Sequence, residues 1–278
     1  MNIAFWSNAN ELCQVSANMA AISMASIVRY PYSVIIMENQ LNNHRLERAF
    51  FGEGSIDFIH EVGTNYYDGG GMEGLIRKIY RGECSGNIIR HYLKEIISQR
   101  LYYIPQSRII HSEIFDYELD HCIHKLLGLI NKESDICFIE TASHRNLSTK
   151  TILEEADLIV VNLCQKQCIL EDFFLNYSIL SEKAIFLVSN IDQHSKVSAR
   201  SIANCYDIPN DNIIVIPYCE NFLSACTNGN IKDFICANYT CQKENPNFFL
   251  MQAIKKATYL IIKKAVEQAK EKELLCLR

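Results

Sequence analysis

Residues 2–28 begin with the apolar run Ile3-Ala4-Phe5-Trp6 and pass through the polar loop Ser7-Asn8-Ala9-Asn10-Glu11-Leu12-Cys13-Gln14-Val15. They continue into Ser16-Ala17-Asn18-Met19-Ala20-Ala21-Ile22-Ser23-Met24-Ala25-Ser26-Ile27-Val28. The first run reads as a buried strand. The last segment reads as a helix, with Met19, Ile22, Ser23 and Ser26 at helical spacing. Ser16 is placed as its N-cap, its hydroxyl accepting an orphan N–H of the first turn. Strand, loop and helix in this order hold phosphate in many nucleotide-binding α/β folds, through backbone N–H groups and the helix dipole. This loop has no glycine and no lysine, so the architecture of a phosphate site is present without its usual chemistry.

Outward from there, Tyr32-Ser33-Val34-Ile35-Ile36-Met37 carries a continuous apolar, β-branched run that reads as a second buried strand. A helix between two strands is a crossover, which implies a parallel sheet. The same alternation continues. Strands are expected at 100–105, 135–140, 157–163, 184–190 and 212–218. Helices are expected at 45–51, 72–81, 85–98, 118–130, 151–155, 170–180, 195–206, within 222–238 and from 247 to about 274. The expected fold is α/β and three-layered, a mostly parallel sheet of about seven strands with helices on both faces. No repeat, low-complexity tract or linker divides the 278 residues, so residues 1–278 read as a single domain.

Composition narrows the function. Hydrophobic residues make up 49% and charged residues 21%, which suits a globular chain with a large core. A net charge of −5 gives no electrostatic case for nucleic-acid binding. No apolar run approaches the roughly 20 residues that cross a bilayer. No basic region precedes an apolar segment at the N-terminus, so the 12 cysteines read as reduced, cytoplasmic thiols, mostly packed as small apolar side chains. Cys164-x-x-x-Cys168 and Cys236-x-x-x-x-Cys241 lack the spacing and flanking ligands of zinc sites.

Several other stretches carry chemistry-bearing residues. Asp68-Gly69-Gly70-Gly71 is glycine-rich, but no strand leads into it as phosphate motifs require, so it reads as a loop before a helix. Glu140 falls at the C-terminal end of its strand, where open parallel sheets bind ligands; the simpler role is a cap or a pair with His144 or Arg145. Asn190-Ile191-Asp192 is an ordinary strand-end turn on its residues alone. Thr141-Ala142-Ser143-His144-Arg145 has no complete nucleophile, base and acid set around it and reads as a loop. Cys13 stands just before a helix, a position that lowers thiol pKa and raises reactivity. The terminal helix carries Lys255, Lys256, Lys263, Lys264, Lys270 and Lys272. Glu267, Glu271 and Glu273 dilute its basic face, so packing on the core is expected and membrane association is not.

The order of these motifs resembles the MinD/ParA family of P-loop ATPases over nearly the full length. The family's deviant phosphate loop, Lys-Gly-Gly-x-Gly-Lys-Ser/Thr-Thr, falls on residues 10–17. Asn10 takes the place of the signature lysine, Glu11 and Leu12 the paired glycines, Cys13 the variable position and Gln14 the third glycine. Val15 takes the P-loop lysine, Ser16 the magnesium-ligand position and Ala17 the last threonine. The resemblance sets Glu140 at the switch II carboxylate beside the metal, Asn190 at the adenine-contacting asparagine, and Pro217 and Tyr218 in the segment beside the base. It implies ATP and Mg2+ as cofactors. Glu11 and Gln14 would each cost roughly 1–2 kcal/mol at positive φ, and each missing lysine removes a charge-assisted bond of roughly 1.5–3 kcal/mol. ATP hydrolysis is therefore expected to be lost, leaving at most weak nucleotide binding. Degenerate relatives such as the TadZ-like proteins help place pilus and secretion machinery in bacteria. By that analogy the chain is expected to be a positioning or assembly factor with protein partners, and to form a homodimer. The alternatives are an active ATPase with an atypical loop and a thiol or redox sensor on a nucleotide-binding fold.

Overall fold

The computed structural model describes residues 1–39, 44–52, 70–83, 87–106, 111–143, 146–191 and 197–276. Its strands are β1 (Asn2–Trp6), β2 (Val34–Asn39), β3 (Lys94–Ile97), β4 (Leu101–Ile104), β5 (Ile136–Thr141), β6 (Leu158–Cys164), β7 (Ala184–Ile191) and β8 (Ile213–Pro217). They form one sheet in the order β3-β4-β2-β5-β1-β6-β7-β8. Every pairing is parallel except β3 with β4, which is antiparallel and carries a register shift between Glu95 and Ile97. The α/β reading holds, with eight strands where about seven were expected.

The helices are α1 (Asn10–Cys13), α2 (Val15–Arg29), α3 (Arg45–Phe51), α4 (Gly71–Tyr80), α5 (Ser112–Glu133), α6 (Leu147–Glu155), α7 (Gln167–Asn176), α8 (Ala199–Cys205), α9 (Glu220–Thr227), α10 (Ile231–Asn238) and α11 (Phe248–Cys276). Because successive strand residues point to opposite faces, each strand feeds two cores. Ala4 and Trp6 of β1 join Met37, Leu119, Ile152, Phe173 and Ile202 on the face covered by α4 to α8. Ile3 and Phe5 join Met19, Leu46, Phe222, Ile231 and Ile254 on the face covered by α2, α3 and α9 to α11. Each fully buried Leu, Ile, Phe or Met among them contributes about 1.5–3 kcal/mol. This is why the strands read as unbroken apolar runs rather than alternating ones.

Helix α2 is buried from Val15 through Ile27 except at Ala17. It is enclosed by the sheet on one side and α11 on the other, which explains its shortage of charge. Its C-terminus is closed by Arg100, whose Nη2 donates to the carbonyl oxygens of Ile27 at 2.8 Å and Tyr30 at 2.5 Å, while Nε donates to Tyr32 O at 3.1 Å. These three carbonyls have no helical partner, and a guanidinium supplies their donors.

One expected helix is absent. Within 85–98 the chain forms a 3-10 turn over Ile88–Tyr92 and then β3. Residues 84–86 lie outside the described residues, as do Asp68 and Gly69 of the glycine run. Residues 222–238 carry two helices, α9 and α10, separated at Gly229. There the backbone is left-handed (φ +76°) and packs on Gly52, so a Cβ at Gly229 would stand 2.2 Å from Gly52 N.

Candidate functional site

β1 lies in the middle of the sheet between β5 and β6. The chain leaves β1 for α2 and then β2, on one side, while β6 to β8 extend on the other. The loop after β1 therefore emerges at the carboxyl edge beside a reversal of strand order, the place where open α/β sheets form ligand crevices.

The loop does not open into a cradle there. Residues 10–13 wind into the single turn α1, with Leu12 N donating to Ala9 O at 3.0 Å and Cys13 N donating to the same oxygen at 3.2 Å. Ala9 N donates to Ser7 Oγ at 3.0 Å. The Ala9, Leu12 and Cys13 N–H groups are thus spent within this chain. Gln14, at the third glycine position, adopts the left-handed conformation (φ 54°, ψ 39°) that glycine takes without penalty. It also separates α1 from α2, whose first residue is Val15. The side chain of Asn10 lies outside the described residues. The donor set for a triphosphate is therefore not assembled by this loop, and the residues present do not fit the group that the family's loop holds.

Ser16 is not the helix cap. It lies one residue inside α2, and the capping position falls on Gln14, which makes no side-chain capping bond. Buried there, the Ser16 hydroxyl donates to Glu140 Oε1 at 2.6 Å. Ala17 follows on the same turn and is partly exposed.

Glu140 is fully enclosed near the end of β5. Burial pushes its carboxyl up to about 7, offset in part by the Ser16 hydrogen bond and by the Arg45 guanidinium. Its second oxygen, Oε2, is buried without a hydrogen-bond partner. Directly beside it in the β2–β5 register stands Glu38. Glu38 Oε1 accepts from Leu46 N at 2.8 Å, and Oε2 accepts from the Tyr103 hydroxyl at 3.3 Å. Burial, then the neighbouring Glu140 charge, hold the Glu38 carboxyl well above its usual range. Two adjacent buried carboxyls favour protonation, because ionising both places like charges together in a low-dielectric interior. His144 and Arg145, the other expected partners of Glu140, lie outside the described residues. Among the described residues, no group of three or more His, Cys, Asp or Glu is arranged to hold a metal ion.

A second polar cluster lies under α2 and was not singled out from the sequence. Asn18 Nδ2 donates to Asn162 Oδ1 at 2.8 Å and to Ser189 Oγ at 2.7 Å, and Asn162 Nδ2 donates to Val160 O at 3.1 Å. All three side chains are buried. They pin α2 to β6 and β7. The available signal was an asparagine on an otherwise apolar helix and another inside a run of branched strand residues.

The elements expected beside a base are adjacent. Asn190 belongs to β7, though its side chain lies outside the described residues. Ile191 pairs with Pro217 at the end of β8 after a register shift, and Tyr218 follows with 59% of its surface exposed. The structure thus brings the ends of β7 and β8 together without showing an asparagine contact.

Cys13 has no lowered thiol pKa. It is fully buried in α1, and its hydrogen bond to Cys164, followed by burial, pushes the thiol up. Its partner behaves in the opposite way. Cys164, at the end of β6, is lowered to about 7, first by the Cys13 hydrogen bond and further by Lys166.

No family model matches the sequence, and no curated protein matches it. Solved structures do. A ParA family ATPase from Chlorobium tepidum TLS superposes with a TM-score of 0.69 at 12% identity, covering 93% of this chain and 98% of that one. MinD from Pyrococcus horikoshii OT3, solved with Mg-ADP, gives 0.65 at 14% identity, covering 97% and 98%. MinD in the MinC:MinD complex of Aquifex aeolicus gives 0.64 at 12% identity, covering 94% and 96%. Among the described residues no helix is long and apolar enough to cross a membrane. At these identities the likeness concerns the backbone: the chain has the fold of the MinD/ParA P-loop ATPases.

Proposed function

We propose that this chain is a non-hydrolysing member of the MinD/ParA-like group, a pseudo-ATPase that works through protein contacts as a positioning or assembly factor. One observation carries the reading. The loop that should hold phosphate is wound into α1, with the Leu12 and Cys13 N–H groups bonded to Ala9 O and no lysine in its sequence. Phosphoryl transfer depends on positioning and charge stabilisation by that loop. Two missing charge-assisted bonds lower affinity by about two to four powers of ten. Nucleotide binding, if retained, rests on the α2 N-terminus and the β7–β8 edge. The TadZ-like analogy supplies the rest of the proposal: a cytoplasmic protein, acting as a homodimer on pilus or secretion components.

The test is thermal unfolding with and without millimolar Mg-ATP, run beside a hydrolysis assay with radiolabelled ATP. A ligand that binds only the folded state raises the melting temperature. The expected result is no shift, or a small one, and no phosphate release above a Ser16→Ala control. Release that Ser16→Ala abolishes would overturn the proposal and establish an active ATPase with an atypical loop.

A further inference from the structure

The loop holds a feature that neither phosphate binding nor its loss explains. Cys13 of α1 and Cys164 at the end of β6 lie roughly 150 residues apart in sequence, yet they form one small packed cluster with Ile169 and Ala9. Their side chains share that cluster, and both thiols are free. Cys13 is fully enclosed, while Cys164 retains 5% of its surface. Buried cysteines usually serve as inert apolar packing. Two facing thiols with different access to solvent and a cation nearby, Lys166, make a different arrangement.

We infer that Cys13 and Cys164 form a peroxide-oxidisable dithiol whose closure to a disulfide fastens the degenerate loop to the carboxyl edge of β6. The co-reactant is hydrogen peroxide. Cys164 is the attacking sulfur, because it keeps some exposed surface and has the Lys166 charge beside it. Its thiolate attacks one peroxide oxygen, the O–O bond breaks, and the departing oxygen leaves as water after taking up a proton. Cys164 is then a sulfenic acid. The Cys13 sulfur attacks Cys164 Sγ, the S–O bond breaks, and the hydroxyl leaves as a second water with the Cys13 proton. In total two thiols lose two electrons and two protons, and one peroxide becomes two waters.

Closure requires the two sulfurs to move from hydrogen-bonding separation to about 2.05 Å. Helix α1 is one turn long and ends at the left-handed Gln14, so the motion required falls on a short segment. The thiolate fraction of Cys164 at neutral pH supports the order of attack. The inference stands apart from the proposed function, since a dithiol can close whether or not nucleotide binds.

The experiment uses the full chain, reduced, cleared of reductant and treated with hydrogen peroxide. Remaining thiols are then alkylated and the peptides mapped without reduction. The expected result is a cross-linked peptide joining Cys13 to Cys164, lost on treatment with dithiothreitol. The melting temperature should rise by roughly 5 °C or more on oxidation, since the link closes a long loop, and return on reduction. In Cys13→Ser the sulfenic acid on Cys164 should persist and be trapped by dimedone. A Cys168→Ser variant, which removes the exposed cysteine in the first turn of α7, should leave the link intact and keeps the test decisive should Cys13→Ser misfold. A cross-link from Cys164 to Cys168 instead, or Cys164 oxidised equally in wild type and Cys13→Ser with no cross-link, would overturn the inference.

Discussion

Replacing Glu140 by glutamine should stabilise the protein at alkaline pH and leave it nearly unchanged in acid. In the unfolded chain the carboxyl titrates near its ordinary value of 4.5; in the fold, burial holds it at about 7. Below 4.5 both states carry the proton. Between 4.5 and 7 the unfolded chain releases the proton while the folded chain keeps it, so stability is lost as pH rises through that window. At 1.36 kcal/mol per pH unit the loss is about 3 kcal/mol, all of it present by pH 8. Glu38 is shifted in the same direction, first by burial and then by the Glu140 charge, so it does not cancel the effect. Glutamine keeps an oxygen for the Ser16 hydroxyl, whose bond to Glu140 is 2.6 Å, and puts its amide nitrogen where Oε2 already lacks a partner. The assay is urea or thermal unfolding of wild type and Glu140→Gln at pH 5 and pH 8. The gap between them should grow by about 2.5 kcal/mol, or about 5–10 °C in melting temperature for a chain of this size. Parallel pH profiles, or a variant less stable than wild type at pH 8, would show that Glu140 ionises freely in the fold and would refute the burial argument.

Two structural predictions accompany it. Asn18→Leu strips the donor from both Asn162 Oδ1 and Ser189 Oγ in a fully buried setting; it should cost about 2–4 kcal/mol in urea denaturation, and a neutral result would mean that the cluster rearranges around other partners. Gly229→Ala places a Cβ 2.2 Å from Gly52 N at a residue with φ +76°; it should cost more than about 3 kcal/mol, whereas wild-type stability would show that the contact between α3 and the α9–α10 turn is loose.

Much of the fold was legible because parallel strands covered on both faces must be apolar at every position. Val34-Ile35-Ile36-Met37 and Leu158-Ile159-Val160-Val161 have no other plausible reading. β3 was not legible for the opposite reason. Lys94-Glu95-Ile96-Ile97 is a partly exposed, antiparallel edge with a bulge. Taken with Ile88, Ile89, Tyr92 and Leu93, its apolar residues mimic helical spacing. Edge strands carry less pattern because only part of their surface meets the core.

The candidate site was legible only where one residue decides it. That the loop lacks glycine and lysine is visible in the sequence, as is a carboxylate ending β5. What replaces the missing chemistry depends on which strands become neighbours. Glu38 faces Glu140 because β2 pairs with β5 in one register; Cys164 meets Cys13 because β6 runs beside β1, from which the loop departs. Both contacts span more than a hundred residues, and neither pair shares a motif. The same geometry explains why the glycines could be lost without losing the fold. An open cradle is needed to approach phosphate closely, not to connect β1 to α2. Once the loop turns through α1, the Leu12 and Cys13 N–H groups are satisfied by Ala9 O and a single left-handed residue, Gln14, completes the connection. At roughly 1–2 kcal/mol, that one strained residue is a small term beside the burial of α2, so stability and phosphate binding are separable in this architecture.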